Sequence, residues 1–571
     1  MPKPFFTVPG AESFRLLRER GACYVDKSDF IAELLAPYPP MVTLLTRPRR
    51  FGKTLTLDML DEFFRIDRES HALFQDLQIA QNGPLCSSWM NAFPVLNISL
   101  KDAFGTTFSS AIAGIVKEIR RMCRRYKQLL TSPNVLAFEK NELKKVTEDV
   151  SDLNSIKFSL YTLSAALEEE YEKPVIILID EYDVPLNFSW QYGYYNEMTE
   201  FLRGFFSAAL KTNSSLQFAV LTGCLRIAKE SFFTGVNNFV CCGVADNKFS
   251  DKLGFTEEEV DHLLVLSEHT DKKDSIKEWY DGYTFGNQEN MYCPWDIIQY
   301  INELQTDHTC IPKNYWMNTS GNDIIQDLVQ YSSDCIVDTF TSLLQGESIA
   351  VKSLETLSYP DIFRVKSDTP KDGTDEYIWH LLYCTGYLTT AKRDQAARDT
   401  QQQHLMIPNR EIQGVCAHCV QQWFIQKTKT LDTNALFEAF WLSDAESVTT
   451  LLSDILLATI SYYDYHESFY HAFVAGLFVS PDYAVQSNRE SGLGRADLLI
   501  FDRRRKRSAC IEIKVAESES DLAGRASIAL QQIASMKYGE QHDPFLRNYP
   551  QKPLHWGFAF YKKDCLALCS R

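Results

Sequence analysis

The sequence predicts an α/β chain of several domains, and three observations carry that expectation. Apolar runs of strand length (VTLL, FPVLNISL, VIILID and LQFAVLTG) alternate with helical patterns over residues 1–250. One run, within residues 41–54 (MVTLLTRPRRFGKT), passes into a tight basic loop that ends in Gly52-Lys53-Thr54. Toward the other end, residues 487–515 (SNRESGLGRADLLIFDRRRKRSACIEIKV) put Asp497 on one candidate strand and Glu512 and Lys514 on the next.

The loop has the composition that nucleotide phosphates need. Backbone N–H groups of Arg49, Arg50, Phe51 and Gly52 and the following helix N-terminus face the anion. The Lys53 ammonium reaches the β/γ-phosphates, and the Thr54 hydroxyl can hold Mg²⁺. One position departs from G-x-x-x-x-G-K-[ST], since Arg47 stands where the first glycine belongs. Residues 174–183 (PVIILIDEYD) supply the partner strand, apolar enough to be buried on both faces. Asp180 at its end is expected to hold Mg²⁺ through water, and Glu181 to polarise the attacking water. A guanine-reading N-K-x-D is missing, because Asn247-Lys248 is followed by Phe249-Ser250, so ATP is expected rather than GTP. The run LQFAVLTG leads to Thr222, placed to sense the γ-phosphate, and to Arg226, placed to neutralise transition-state charge. P-loop ATPases often complete their sites with a neighbour's arginine, which leaves room for a homo-oligomer.

At 571 residues, roughly three or four domains are expected. The divisions expected are a P-loop three-layer domain over 1–250, a helical lid over 251–335, a winged-helix-like module over 336–415, and a second α/β domain over 420–571. The lid opens with Thr256-Glu257-Glu258-Glu259, an acidic helix start, and carries the aromatic segments WYDGYTFG (279–286) and PWDIIQYI (294–301), expected mainly as core. In the module, a helix over 377–388 precedes two short strands, Leu388 to Ala391 and His404 to Ile407. The polar insert 393–403 is the hairpin tip, and a helix begins near Asn409.

Composition narrows the class. Hydrophobic content of 45% and aromatic content of 13% describe an ordered protein. No apolar run approaches the ~18 residues that span a bilayer. The start, MPKPFFTVPG, lacks a secretory layout, so a soluble cytoplasmic protein is expected, with no membrane partner and with its 15 cysteines reduced and mostly in the core. A formal charge of −17 excludes a protein that coats nucleic acid non-specifically. Basic clusters remain at Arg120, Arg121, Arg124, Arg125 and Lys127, expected as a solvated helix face, and at Arg503 to Arg507, a hairpin tip or a phosphate contact.

Glu512 and Lys514 are two apart on a strand and share a face, while Ile511, Ile513 and Val515 turn to the core. Asp497 on the neighbouring strand can lie beside Glu512. Two carboxylates and a cation so placed make a Mg²⁺ site that can activate water against a phosphodiester; an edge salt bridge is the plainer alternative. Glu467, on a helix over 467–478, is a further candidate metal ligand. Downstream, a helix over 526–539 presents Gln532 and Tyr538, and HWGFAFY (555–561) is a last strand.

Taken in order, Tyr24-Val25-Asp26-Lys27, RPRRFGKT (47–54), IDEYD (179–183), LTGCLRIAKESFFTGVNN (221–238), FTEEEV (255–260), WYDGY (279–283), SNRESGLGRAD (487–497) and IEIKV (511–515) resemble the AAA-ATPase-like proteins fused to a PD-(D/E)XK nuclease domain. The family's phosphate loop has the same RPRRFGK[ST] form. The resemblance implies an ATP-binding domain using Lys53, Thr54, Asp180 and Glu181. It also implies a restriction-endonuclease-like domain with Asp497, Glu512 and Lys514 as its nuclease triad, ATP and Mg²⁺ as cofactors, and nucleic acid, with DNA expected, as partner of the C-terminal domain. Two other functions stay open: a nucleotide-switched binding or assembly protein that grips nucleic acid without cutting, and a small-molecule kinase.

Overall fold

Leucine- and isoleucine-rich runs become the middle of a parallel sheet. The computed structural model describes residues 5–148, 152–211, 213–226, 239–316, 339–340, 342–344, 346–352, 374–391, 402–428, 434–459, 467–478, 483–491, 494–536, 549 and 551–570. Residues 227–238 of the LTGCLRIAKESFFTGVNN segment, most of the 393–403 insert, Gly492-Leu493 and Tyr538 lie outside the described residues. The chain divides into two units, Met1–Tyr315 with Ala350–Glu411, and Trp316–Ile349 with Ile412–Arg571.

In the first unit, β1 (Val42–Thr46), β2 (Val95–Ser99), β3 (Val175–Asp180), β4 (Leu216–Gly223) and β5 (Phe239–Cys242) form one sheet in the order β2-β3-β4-β1-β5. Every neighbouring pair is parallel. All residues of β1 and β3 are buried, as expected where helices cover both faces. The helices that matter below are α1 (Lys53–Phe64), α2 (Phe108–Arg125), α3 (Ser159–Tyr171) and α4 (Tyr195–Leu210). Ile176, Leu178, Phe218 and Val220 enter one apolar cluster with Leu57, Leu60 and Phe63 of α1. Ile177 and Ile179 project to the opposite face. There α3 and α4, whose apolar residues stay out of that cluster, pack on β3 and β4 and complete three layers. Thr107 and Ser110 close a capping box that starts α2.

Beyond the sheet, Thr256 accepts from the Glu259 N–H at 3.3 Å and Glu259 from the Thr256 N–H at 2.8 Å, so the acidic start does cap α5 (Glu257–Leu266). α6 (Lys273–Tyr280), the hairpin of β6 (Tyr283–Phe285) and β7 (Gln288–Met291), and α7 (Pro294–Leu304) follow. Their core gathers Val260, Leu263, Ile276, Tyr280, Ile297 and Tyr300. β8 (Ile349–Lys352), α8 (Thr374–Thr385), β9 (Thr389–Thr390), β10 (Gln402–Met406) and α9 (Arg410–Thr428) give helix, hairpin, helix, and β8 extends the hairpin to the order β8-β10-β9.

The second unit is built on a mixed sheet. α10 (Ala445–Thr459) and α11 (Glu467–Leu477) precede β11 (Tyr483–Ser491), β12 (Gly494–Asp502) and β13 (Arg507–Val515). α12 (Leu522–Met536), β14 (Leu554–Tyr561) and β15 (Asp564–Ser570) follow. The order is β11-β12-β13-β14-β15, antiparallel throughout except for the parallel pair β13–β14, whose crossover is α12. Only a glycine turn is expected ahead of β12 from the sequence; the structure adds the strand β11. Gly557 is required where α12 crosses the sheet, because a Cβ there would lie 2.4 Å from the Ala526 carbonyl oxygen. Trp556, fully buried, stacks on Phe440 at 5.0 Å. The RRRKR run is the β12–β13 turn. Burial alone would raise the Asp502 carboxyl, but the Arg504 and Arg505 N–H groups and the Arg507 Nε donate to it and hold it below the ordinary carboxylate range.

At the end of α1, fully buried Arg65 donates through Nε to Asp61 Oδ1 at 2.7 Å, and Asn97 Nδ2 donates to Asp61 Oδ2 at 3.2 Å. Removing one member of a buried pair leaves the other charge uncompensated, typically at 3–5 kcal/mol. Asp61→Ala is therefore expected to destabilise the first unit by about that amount, while Asp76→Ala, at an exposed partner of Arg18, costs about 1 kcal/mol or less. Urea unfolding of the two variants checks the contrast; equal losses would contradict it.

Candidate functional site

The loop after β1 is anchored from beneath. Arg47, with no exposed surface, donates to the carbonyl oxygens of Thr46 (2.9 Å), Cys242 (3.1 Å), Gly243 (2.7 Å) and Phe249 (2.9 Å). Its guanidinium also lies 5.1 Å from the Phe285 ring. Burial draws its pKa down to about 10, which still leaves it charged near neutral pH. The side chain in the position of the first glycine thus points away from the loop mouth and ties the loop to β5.

Neighbouring residues are held in the same way. Phe51 is buried between Tyr283 (5.0 Å) and Phe285 (5.1 Å), and the Arg50 guanidinium sits 4.1 Å from the Trp295 ring. Arg50 (φ 70°) and Gly52 (φ 83°) both adopt left-handed backbone, which bends the chain into α1. For Arg49, burial acts to lower the pKa, but Cys224, Tyr387, Glu181 and Asp183 outweigh it and raise it.

Lys53 is buried and donates through Nζ to the Arg47 and Pro48 carbonyls at 2.9 and 2.8 Å, with Cys224 Sγ at 3.7 Å. These hydrogen-bond acceptors are all neutral, and the carboxylates of Glu181 and Asp183 feel its charge without bonding to it, which suits a site for an anion. Thr54 Oγ1 donates to Asp180 Oδ2 at 2.7 Å, and Thr222 Oγ1 donates to Asp180 Oδ1. The strand register explains the second contact, since β4 pairs with β3 up to Leu221 opposite Ile179. Glu181 follows in left-handed backbone (φ 52°), and burial, with Asp180 adding to it, raises its carboxyl above the ordinary range. Asp183 accepts from the Cys224 and Leu225 N–H groups, each at 2.9 Å, and fixes the turn after β4.

The structure therefore brings Thr54, Asp180 and Thr222 into one hydrogen-bonded set, with Glu181 next in the chain. Arg226 is half-buried and lies near Cys241 on β5. Arg47 and Asp183 are anchors to which no role is assigned from sequence; the only signal was their place inside RPRRFGKT and IDEYD.

In the second unit, Glu512 on β13 is buried, with Oε1 3.1 Å from Lys514 Nζ and Oε2 without any hydrogen-bond partner. Asp497 on β12 accepts from the Ile513 N–H at 2.8 Å, which brings its carboxyl to the same strand edge. Lys514 also reaches Glu467 of α11 at 3.5 Å, and His471, one turn on, donates to the Asp497 carbonyl oxygen at 2.8 Å. Burial, then Asp497, raise the Glu512 carboxyl to about 7, with Lys514 opposing. A buried carboxylate oxygen lacking a donor beside a second carboxylate fits a divalent cation. No three His, Cys, Asp or Glu side chains converge as a metal cage among the described residues; Glu467 is placed against the lysine.

Two stretches of the chain, one around each site, match known family models. Residues 9–233 match a family model described as "Predicted AAA-ATPase", and residues 465–566 match one described as "PD-(D/E)XK nuclease superfamily". The chain carries an AAA-ATPase-like domain followed by a PD-(D/E)XK nuclease-superfamily domain. Among particular proteins, it is 24% identical over 544 residues to an uncharacterized protein in the vnfD 5' region of Azotobacter chroococcum mcd 1, spanning 93% of each chain. It is similar to the structure of the Aeropyrum pernix Orc1 protein in complex with DNA, with 10% identity, 72% of this chain and 93% of that one covered, and a TM-score of 0.24. No helix among the described residues is long and apolar enough to cross a membrane.

A pH effect follows from Glu512. Its folded pKa lies above its ordinary 4.5, so the folded state holds the proton more tightly. That contribution is full below the unfolded pKa and disappears as pH rises through about 7. Metal-free protein is expected to lose up to roughly 3 kcal/mol of stability over this window. Glu512→Gln should flatten the loss, and Mg²⁺ near pH 8 should stabilise wild type but not the variant. Thermal unfolding checks it, and parallel pH slopes for the two proteins would refute it.

Proposed function

We propose that the chain is an ATP-hydrolysing P-loop protein coupled to a Mg²⁺-dependent PD-(D/E)XK nuclease that acts on nucleic acid, with DNA as the favoured polymer. One observation carries the reading: two separate strand ends each gather a carboxylate set beside a buried or half-buried lysine, one behind a phosphate loop and one on β12 and β13. In four divisions, residues 1–250 bind ATP, 251–335 cover the loop, 336–415 form a winged-helix-like module, and 420–571 act on nucleic acid.

At the first site the N–H groups of residues 49–52 cradle the phosphates, and the Lys53 ammonium leaves its two carbonyl acceptors for the β/γ-phosphates. Thr54 and Asp180 would hold Mg²⁺, with Thr222 fixing the far oxygen of Asp180. Glu181, with its raised pKa, is suited to take the proton of the attacking water, and Arg226 to offset charge at the γ-phosphate. At the second site Asp497 and Glu512 would hold the metal. Lys514, kept in place by Glu467, orients the water that attacks the phosphodiester; Glu467 then serves the metal only through that lysine. Bound Mg²⁺ supplies charge neutralisation on the phosphates at both sites.

The two carboxylates around Lys514 support a second reading, in which the nuclease-like domain grips nucleic acid without cutting and the ATPase domain drives assembly of several copies. Lys514→Ala separates the two. Under the proposed function, cleavage of linear, circular and single-stranded DNA in Mg²⁺ and ATP disappears while DNA affinity stays within about threefold; under the second reading wild type cuts nothing. Lys53→Ala should lower ATP turnover by at least ~10²-fold, because a positioned cation on the transferring phosphate contributes several kcal/mol to barrier reduction. Retained turnover in that variant would overturn the phosphate-loop assignment.

A further inference from the structure

A cleft of about 570 Å³ has Thr54 and Asp180 at one edge, and the proposed function leaves the rest of its lining without a role. Its size falls in the range of small-molecule sites. One wall is α2, which presents Lys117, Arg120, Arg121 and Arg124 along one stripe at helical spacing. Thr54, Leu57 and Asp58 of α1 form the facing wall, and Asn97, Ser99 and Asp180 line the floor.

Charge in the cleft is unevenly matched. Lys101 pairs with Glu12 at 2.8 Å, Lys117 with Asp102 at 3.0 Å and Arg121 with Glu118 at 3.0 Å. Arg120 and Arg124 have no acidic partner among the described residues, and the Arg120 Nε is buried without any acceptor. The two remaining carboxylates have donors of their own: Asp58 accepts the Phe14 N–H at 2.7 Å, and Asp180 accepts two threonine hydroxyls. Arg121, Arg124 and Lys127 are exposed, as a solvated basic helix face requires, whereas Arg120 is half-buried in the wall.

We propose that this cleft is a second anion site, in which Arg120 and Arg124, one helical turn apart, clamp a phosphate group of a ligand other than the nucleotide in the phosphate loop. Two guanidinium forks suit phosphate, whose oxygens accept paired N–H donors. Ala113, exposed on the same wall and backed by buried Leu57 and Val116, gives the uncharged part of the ligand a small apolar surface. The floor includes Asp180, so occupancy reports to the nucleotide site; that coupling, though not the binding, rests on the function proposed above. The phosphate can come from a free phosphorylated molecule or from the backbone of a nucleic-acid strand.

The test uses full-length Lys53→Ala protein without Mg²⁺, so that the phosphate loop contributes little. Inorganic pyrophosphate and a short single-stranded oligonucleotide lacking a terminal phosphate are titrated in turn, with hydrogen exchange followed over residues 108–125. At least one probe should bind saturably, protect that helix, and lose tenfold or more in affinity in Arg120→Ala/Arg124→Ala, with partial recovery in the double lysine variant. Binding of pyrophosphate alone assigns the site to free phosphorylated molecules, and binding of the oligonucleotide alone assigns it to a strand backbone. No protection by either probe, or equal affinity in the double alanine variant, overturns the proposal. Failure of ADP to bind wild-type protein would sink the nucleotide reading and leave this result standing.

Discussion

The buried guanidinium of Arg47 is the constraint on which the nucleotide domain depends. A charge with no exposed surface is costly unless its donors find acceptors, and both terminal nitrogens of Arg47 bond main-chain carbonyls at the ends of β1 and β5 and at Phe249, which leaves only Nε without a partner. The loop is thereby fixed to the sheet before it turns, and its own carbonyls at Arg47 and Pro48 are left facing Lys53. A glycine would permit the turn but could not anchor it. Phe51 and Arg50, held by aromatic rings of the β6–β7 hairpin and α7, extend the same support to the far side of the loop. The aromatic segments after residue 279 are core, as their composition suggested, and the core they form backs the phosphate loop.

Asp180 is the second fixed point. Parallel register places the ends of β3 and β4 side by side, so one carboxylate can accept from threonines on two different elements. Two hydroxyl donors from different elements fix the orientation of this carboxylate at the strand end. Glu181, by contrast, has burial and a neighbouring charge raising its pKa, and its left-handed backbone turns it out of the strand direction. Adjacent acidic residues are thus given different surroundings, one bonded by two threonine hydroxyls and the other turned out of the strand.

Most of this was legible in the sequence where periodicity and residue chemistry agreed. The runs that became β1 to β4 are long and apolar enough to be read directly, and Thr256 with Glu259 announced the cap of α5. β5 was missed because Phe239–Cys242 is four residues long and mostly half-buried, giving neither a clean alternation nor a long apolar run. β11 was missed because YAVQSNRES turns polar midway, which reads as a loop. The role of Arg47 could not be read at all: a guanidinium that bonds carbonyls some 200 positions away leaves no local pattern, and from sequence the residue is a departure from the motif. Tertiary contact decided it.

The two acidic sites share one electrostatic logic. At each, burial makes a glutamate hold its proton more tightly than in water, and a lysine nearby opposes the shift without cancelling it. At Glu512 the balance leaves one oxygen without a donor and the pKa close to neutrality. Such an arrangement costs stability in the absence of a ligand, because a charged oxygen is kept from water with no partner. A hydrophobic residue on that strand would pack as well and cost nothing, as Ile511 and Ile513 on the opposite face do. Lys514, itself held by Glu467, pairs with Oε1 alone and leaves Oε2 open, the one vertex of the site where the cation proposed above would complete the carboxylate.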